Sequence, residues 1–353
     1  MMIDRRQLIG GGLALGFGTG VSAGSAPLNK RRAIDAIRLP PSFNGVLAYG
    51  RNGRLDAIRC VGMADIEAAR PVTPHTRFKW GSASKWLAST AALRLVERKL
   101  LSLDAPVSTY LPDFRRDTGD RVLVWHLLSN TSGLTDRLVP AIKADPSLLA
   151  SAATPAEIVT RYAGGDLRFV PGKGWDYAPL NWVIAAAIME RLTGKPLAAL
   201  VGDMVLRPLR MHETGYAQLD QPAMPALAAA YASVAPAVRK MTAIPPFLAG
   251  SGNTAGTAGD AIRAAHGIFH TALLSAASRR DLATVRWPEQ DYALGGRIHA
   301  IQGEPWAWET GKVEGYRAHI AHRLARSETI VVFNTTDMPQ SEIADWVNAI
   351  ATA

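Results

Sequence analysis

The segment from Ser84 to Lys99 reads as a helix with no face to give to water. Leu87, Ala91 and Leu95 recur every fourth residue, and Ala88 and Ala92 make the other side small and apolar too. A helix apolar nearly all round belongs inside a core. A chain of 353 residues, 48% hydrophobic and 20% charged, can build one, as one large domain or two interleaved subdomains.

Strand signals lie at the two ends of the chain. From Gly45 to Val61 the pattern reads as a hairpin, with Val46, Leu47, Ala48 and Tyr49 leading into Asn52-Gly53, a pair that favours a tight turn. Thr329 to Phe333 reads as a buried strand, and Ser341 opens a final helix carrying Trp346, Val347 and Ile350. Helical signals fill the middle. Asp104-Ala105-Pro106 breaks the Ser84 helix, Thr154-Pro155-Ala156-Glu157 forms a capping box, and Asn181 to Leu192 is helical up to Gly194. Strands at both ends with helices between point to an α+β fold, one sheet assembled from the two termini around a helical insertion. No internal repeat or long low-complexity linker appears.

The first residues are set apart from the fold. Arg5-Arg6 precede an apolar, glycine-rich run from Leu8 to Val21, followed by the small residues Ser22 to Ala26. That order is a cleavable export signal over residues 1–26, and the paired arginines make it twin-arginine-like. The expected location is periplasmic or secreted. The run is too short to span a bilayer stably, which takes about 20 apolar residues. The net charge of +9 is spread along the chain, with Lys30-Arg31-Arg32 and Arg279-Arg280 the densest groups. This reads as a solvated basic surface, not as a nucleic-acid site. Cys60 is the only cysteine, so no internal disulfide forms, and its place in Ile58-Arg59-Cys60-Val61 reads as a small core residue.

Chemistry concentrates at Ser82-Ala83-Ser84-Lys85. A serine at neutral pH needs a base, and a lysine can serve where burial keeps it neutral. With a helix starting near Gly81, residues 82 and 85 share a face one turn apart, and the helix N-terminus points unpaired N–H groups at charge developing on a substrate oxygen. No other serine in the chain has a lysine three positions later.

The segment Phe78-Lys79-Trp80-Gly81-Ser82-Ala83-Ser84-Lys85 resembles the nucleophile region of class C β-lactamases, penicillin-binding proteins and their esterase and D-amino-acid peptidase relatives. The resemblance continues through Phe43-Asn44-Gly45-Val46, Pro71-Val72-Thr73-Pro74, Leu101 to Val107, Tyr110-Leu111-Pro112, His126-Leu127-Leu128, Thr131 to Leu134, and Arg207 to Met211. It covers most of the chain after the leader. It implies a β-lactamase/transpeptidase-like fold over residues 27–353, a central antiparallel sheet flanked by helices with an all-α insertion. The α/β part is expected at approximately 27–95 and 240–353, and the helical part at approximately 96–239.

Site residues follow from the same resemblance. Tyr177, in Trp175-Asp176-Tyr177-Ala178-Pro179, matches the family tyrosine that relays protons between serine, lysine and leaving group. Pro179 stands where the family has an asparagine, a role that Asn181 is expected to replace in part. Glu309-Thr310-Gly311-Lys312 stands where the family has Lys-Thr-Gly or His-Thr-Gly. The backbone N–H groups of Ser82 and Lys312 are expected to form an oxyanion hole. Glu309 reverses the family's charge, and opposed charges are worth about 1–4 kcal/mol at about 4 Å. Facing the substrate, it disfavours anions and favours neutral esters or a cationic amine; the alternative is that it points away or pairs with Lys312. Trp80, Trp175, Trp182, Trp306 and Trp308 fall near these motifs, and some are expected to line an apolar pocket.

Other mechanisms lack their residues. There is no Gly-x-Ser-x-Gly elbow and no His-Glu-x-x-His helix, and His266/His270 and His319/His322 have no evident carboxylate or cysteine partner for a metal. Gly250-Ser251-Gly252 lacks the lysine of a phosphate loop and reads as active-site rim. The expected function is an exported acyl-serine hydrolase of small esters or amides, with no cofactor and a small-molecule partner. A β-lactamase or D,D-peptidase, and an inactive binding protein that keeps the fold, are the alternatives. The sequence does not set the oligomeric state.

Overall fold

A computed structural model describes residues 25–219, 223–241 and 244–353. Residues 1–24 of the expected leader lie outside the described residues. Helix α1 (Ser25–Ala36) leads into strands β1 (Gly45–Arg51) and β2 (Arg54–Val61). These form the expected hairpin, and its turn residues Asn52 and Gly53 both carry positive φ, 50° and 75°. Two-residue turns of that hand match the twist of the flanking strands.

Four more strands come from the other end of the chain: β3 (Arg297–Ile301), β4 (Glu304–Val313), β5 (Tyr316–Arg323) and β6 (Glu328–Asn334). The sheet runs β3-β4-β5-β6-β1-β2, antiparallel throughout. Strands β1 and β6 close it, with Gly45 opposite Asn334 and Arg51 opposite Glu328.

Both faces of this sheet are covered, and the strands are apolar on both sides accordingly. Val46, Ala48, Val331 and Phe333 face the larger core, which contains α2 (Lys85–Glu97), α3 (Pro179–Thr193) and α4 (Ala258–His270). Leu47, Tyr49, Ile330 and Val332 face a smaller one with Ile34 of α1 and Ile343, Val347 and Ile350 of α5 (Gln340–Thr352). Successive side chains of a strand alternate between faces, so one strand serves two cores. Helix α2 is buried from Lys85 to Leu93 and again at Leu95, as its composition requires. Helix α3 is buried from Leu180 to Met189 and stops at Gly194, whose φ of 66° ends it in the left-handed conformation.

Three features depart from the sequence reading. The stretch read as helical also holds a hairpin, Ala230–Val234 with Ala237–Lys240, mostly exposed at its second strand and without a clear apolar alternation. A small sheet joins Phe78–Lys79, Thr254–Gly256 and Gly215–Tyr216, strands too short to leave a periodic signal. Lys30, expected on a solvated basic surface, is buried: its ammonium donates to the Ile350 and Ala351 carbonyls at 2.8 and 2.9 Å, neutralising the C-terminal end of α5. Cys60 is a free, half-buried thiol of β2. No helix among the described residues is long and apolar enough to cross a membrane.

Candidate active site

The small sheet places the serine. Trp80 donates its backbone N–H to the Thr254 carbonyl at 2.9 Å, and the Ser84 hydroxyl accepts from the Thr254 N–H at 3.2 Å. Between these contacts Gly81–Ser84 forms one 3₁₀ turn running into α2. Gly81 has φ 51°, and a Cβ there would lie 2.9 Å from the Lys312 nitrogen. Gly311 is tighter still: a Cβ would meet the Trp80 carbonyl oxygen at 1.9 Å. Two glycines therefore let the end of β4 lie directly against the turn that carries Ser82, which brings the Lys312 amide to its mouth.

Lys85, 2% exposed, stands one turn into the helix with Nζ 2.8 Å from Ser82 Oγ. It also donates to the Ser251 carbonyl at 2.8 Å. Burial, which disfavours the ammonium, pulls Lys85 down to about 7; the Glu309 carboxylate opposes that and the Arg297 guanidinium adds to it. Its Nζ also lies 4.9 Å from the Tyr177 ring centre and 5.5 Å from that of Trp182. Ser82, Lys85 and Tyr177 line the same cavity wall, close enough for Ser82 to act on the Tyr177 hydroxyl. Burial and the Glu309 charge hold Tyr177 well above the ordinary tyrosine range, and it is therefore a phenol at neutral pH. Trp175 and Tyr292 wedge its ring at 5.8 and 6.1 Å between centres.

These groups open onto a cavity of about 570 Å³. Gly81, Ser82, Lys85, Tyr177, Pro179 and Lys312 contribute to its wall, and Pro146, Leu149, Ala150, Met241, Ile244 and Leu248 make it apolar. The last six carry no motif in the sequence and come from two separate stretches, 146–150 and 241–248; Ser251 reads there only as rim. Pro179 occupies the first turn of α3, where a missing N–H costs nothing. Lys312 has no ion-pair partner among the described residues, and Glu314 stands beside it in the wall.

Several expected positions are corrected. Glu309 does not face the cavity. It is 1% exposed, bound through both carboxylate oxygens by Arg297 Nη1 at 2.8 and 3.0 Å, and accepts the Thr310 N–H at 2.9 Å. Strand alternation turns it under the site while Lys312 turns outward. Asn181 does not face the cavity either. Its side chain accepts from the Ser132 hydroxyl at 2.6 Å and donates to Asn130 at 3.4 Å, a buried network that ties α3 to the loop before it. Thr310 and Gly311 shape the strand without lining the cavity. None of the five tryptophans lines it; Trp80, Trp182 and Trp306 are core residues. Histidines 266, 270 and 322 cluster by ring contacts, and no group of three or more metal-ligating side chains is placed to hold an ion among the described residues.

Known proteins resemble this chain in sequence and in fold. Esterase EstB of Burkholderia gladioli is 35% identical over 204 residues, 55% of this chain and 50% of EstB. A putative penicillin-binding protein, PbpX of Bacillus subtilis (strain 168), is 29% identical over 174 residues, 49% of this chain and 41% of PbpX. The chain thus spans half or less of the length of these two relatives. Among solved structures, D-amino acid amidase from Ochrobactrum anthropi SV3 superposes with a TM-score of 0.78 at 18% identity, covering 93% of this chain and 98% of that one. The penicillin binding protein from Bacillus halodurans gives 0.77 at 20% identity, covering 92% and 98%. The fold is therefore β-lactamase/transpeptidase-like, as in these two structures. A family model described as Beta-lactamase matches residues 41–353, and the chain belongs to that family.

Proposed function

We propose that this protein is an acyl-serine hydrolase of small, neutral, largely apolar esters or amides. The observation that carries the reading is the Lys85 amine 2.8 Å from Ser82 Oγ at the floor of an apolar cavity. Neutral Lys85 takes the Ser82 proton while its own N–H groups hold the Ser251 carbonyl. Ser82 Oγ then bonds to the substrate carbonyl carbon, and the negative oxygen is held by the Ser82 and Lys312 amides. The bond to the leaving alcohol or amine breaks as the Tyr177 phenol gives it a proton, which Lys85 restores. Water attacks the resulting ester with Lys85 again as base, and the acid departs as Lys85 passes that proton to Ser82 Oγ.

The apolar wall supports neutral substrates, and the names of two proteins this chain resembles, an esterase and an amidase, support esters and amides as the class. A second reading, hydrolysis of β-lactams or peptidoglycan peptides, draws on Lys312, an unpaired cation in the wall suited to a substrate carboxylate. Export rests on Arg5-Arg6 and the apolar run behind them, and predicts a mature N-terminus near residue 27.

The test is intact-protein mass after exposure to a fluorophosphonate, with Ser82→Ala as control. One adduct on the wild type and none on the variant is the expected result. No adduct on folded wild type overturns the hydrolase reading and favours a binding role. Turnover of p-nitrophenyl butyrate against nitrocefin and a D-alanyl-D-alanine peptide then separates the two substrate readings.

A further inference from the structure

The Arg297–Glu309 pair takes no part in the steps above, yet it lies directly behind them. Arg297 spans both Glu309 oxygens, and its guanidinium is clamped between the rings of Tyr292 and Trp308, 5.1 Å from each centre. The Thr310 N–H fixes the same carboxylate from its own strand. Neither charge can move without dismantling this clamp. A continuous run of ring contacts joins the pair to the site: the Tyr292 ring under Arg297 lies 6.1 Å from the Tyr177 ring, which lies 4.9 Å from Lys85 Nζ. The Glu309 charge acts on all three groups.

We propose that Glu309 and Arg297 are positioning residues, a matched pair of buried charges that sets how readily Lys85 accepts the Ser82 proton. Glu309 favours the ammonium, and Arg297, at the carboxylate, limits how strongly it does so. The groups facing Lys85 are few. Strand β4 presents Glu309 beneath and Lys312 across the cavity, with Glu314 just past its end; β3 presents Arg297, the segment before α3 the Tyr177 phenol, and the 249–252 segment the Ser251 carbonyl. Behind Arg297 stand His299 and His319, both lowered chiefly by burial. A lone carboxylate under the nucleophile would keep Lys85 charged and idle at neutral pH. A lone guanidinium would keep it neutral but weak as a base. The pair lies between those extremes.

This inference rests on Ser82 and Lys85 being the working pair, and the experiment separates the two claims. The pH dependence of kcat/KM for p-nitrophenyl butyrate is measured for wild type, Glu309→Gln and the double variant Glu309→Gln/Arg297→Gln, with circular dichroism melts for folding. Removing the carboxylate alone moves the midpoint of the acid limb down by about one pH unit, the scale of a nearby buried charge. The double variant, in which two amides can bond each other, returns part of that shift. It also supplies the comparison if Glu309→Gln fails to fold, since its midpoint is still expected below the wild type's. A lower kcat with unmoved midpoints in the folded variants makes the pair purely structural and overturns the proposal. A wild type that neither labels at Ser82 nor turns over ester removes the hydrolase reading itself.

Discussion

In the proposed reaction Lys85 carries the dependence on pH. Only its neutral form can accept the Ser82 proton, and its value of about 7 lies in the working range. The rate is therefore expected to hold above that point and to fall tenfold per unit well below it, which a pH profile of kcat/KM checks. Lys85→Met removes the base and is expected to cost about 10²–10⁴-fold in kcat, the usual worth of general base catalysis. In the proposed reaction Tyr177 acts as a phenol, because burial first and the Glu309 charge second keep its proton in place. Tyr177→Phe should therefore slow acylation most for substrates with poor leaving groups. An alkyl ester loses on the order of 10²-fold and an activated p-nitrophenyl ester much less, read from the ratio of the two rates.

At the scale of elements, the nucleophile turn is held by the sheet as much as by its own helix. Phe333 of β6 packs on Phe78 at 5.6 Å and on Trp80 at 6.1 Å between ring centres. Phe333→Ala is expected to cost about 3–5 kcal/mol of stability, and the turn should loosen with it, so the melting temperature and the labelling rate of Ser82 fall together. Gly311→Ala is sharper, since its Cβ would overlap the Trp80 carbonyl. Serine labelling is expected to be lost at a pH and temperature where the rest of the chain stays folded.

The elements themselves were largely legible in the sequence. The hairpin at Asn52-Gly53, the capping box at Thr154, the stop at Gly194 and the buried α2 each come from local rules, and each was found where those rules place it. Ser82 and Lys85 were legible by spacing, Tyr177 and Lys312 by the family resemblance, and the four converge on one cavity. The direction of Glu309 was not legible, because its partner Arg297 sits across a strand register that no local pattern encodes. The apolar wall was missed for a related reason: Pro146, Leu149, Met241 and Ile244 meet only in the folded chain. Lys30 looked like surface charge, and only packing against α5 reveals a buried cap.

Over the whole molecule, buried histidines set a limit in acid. His126 is lowered to about 4 and His319 to about 3, mainly by burial, and His322 lies well below its ordinary value. In the unfolded chain each titrates near 6.5, so between that value and the folded ones the unfolded state binds more protons. Stability is then lost progressively as pH falls below about 6.5, and a urea midpoint lower at pH 5 than at pH 7.5 checks the sign. The closure of the sheet by β1 and β6 has a consequence in time. Strand β1 is made early and its partner some 280 residues later, so a ribosome translating this chain carries an open strand edge through nearly the whole of synthesis. Contacts of such sequence separation are slow to form. The nascent protein therefore gains its scaffold, and with it a firm seat for the serine, in one late step, and until then it depends on whatever shields a bare edge from its neighbours.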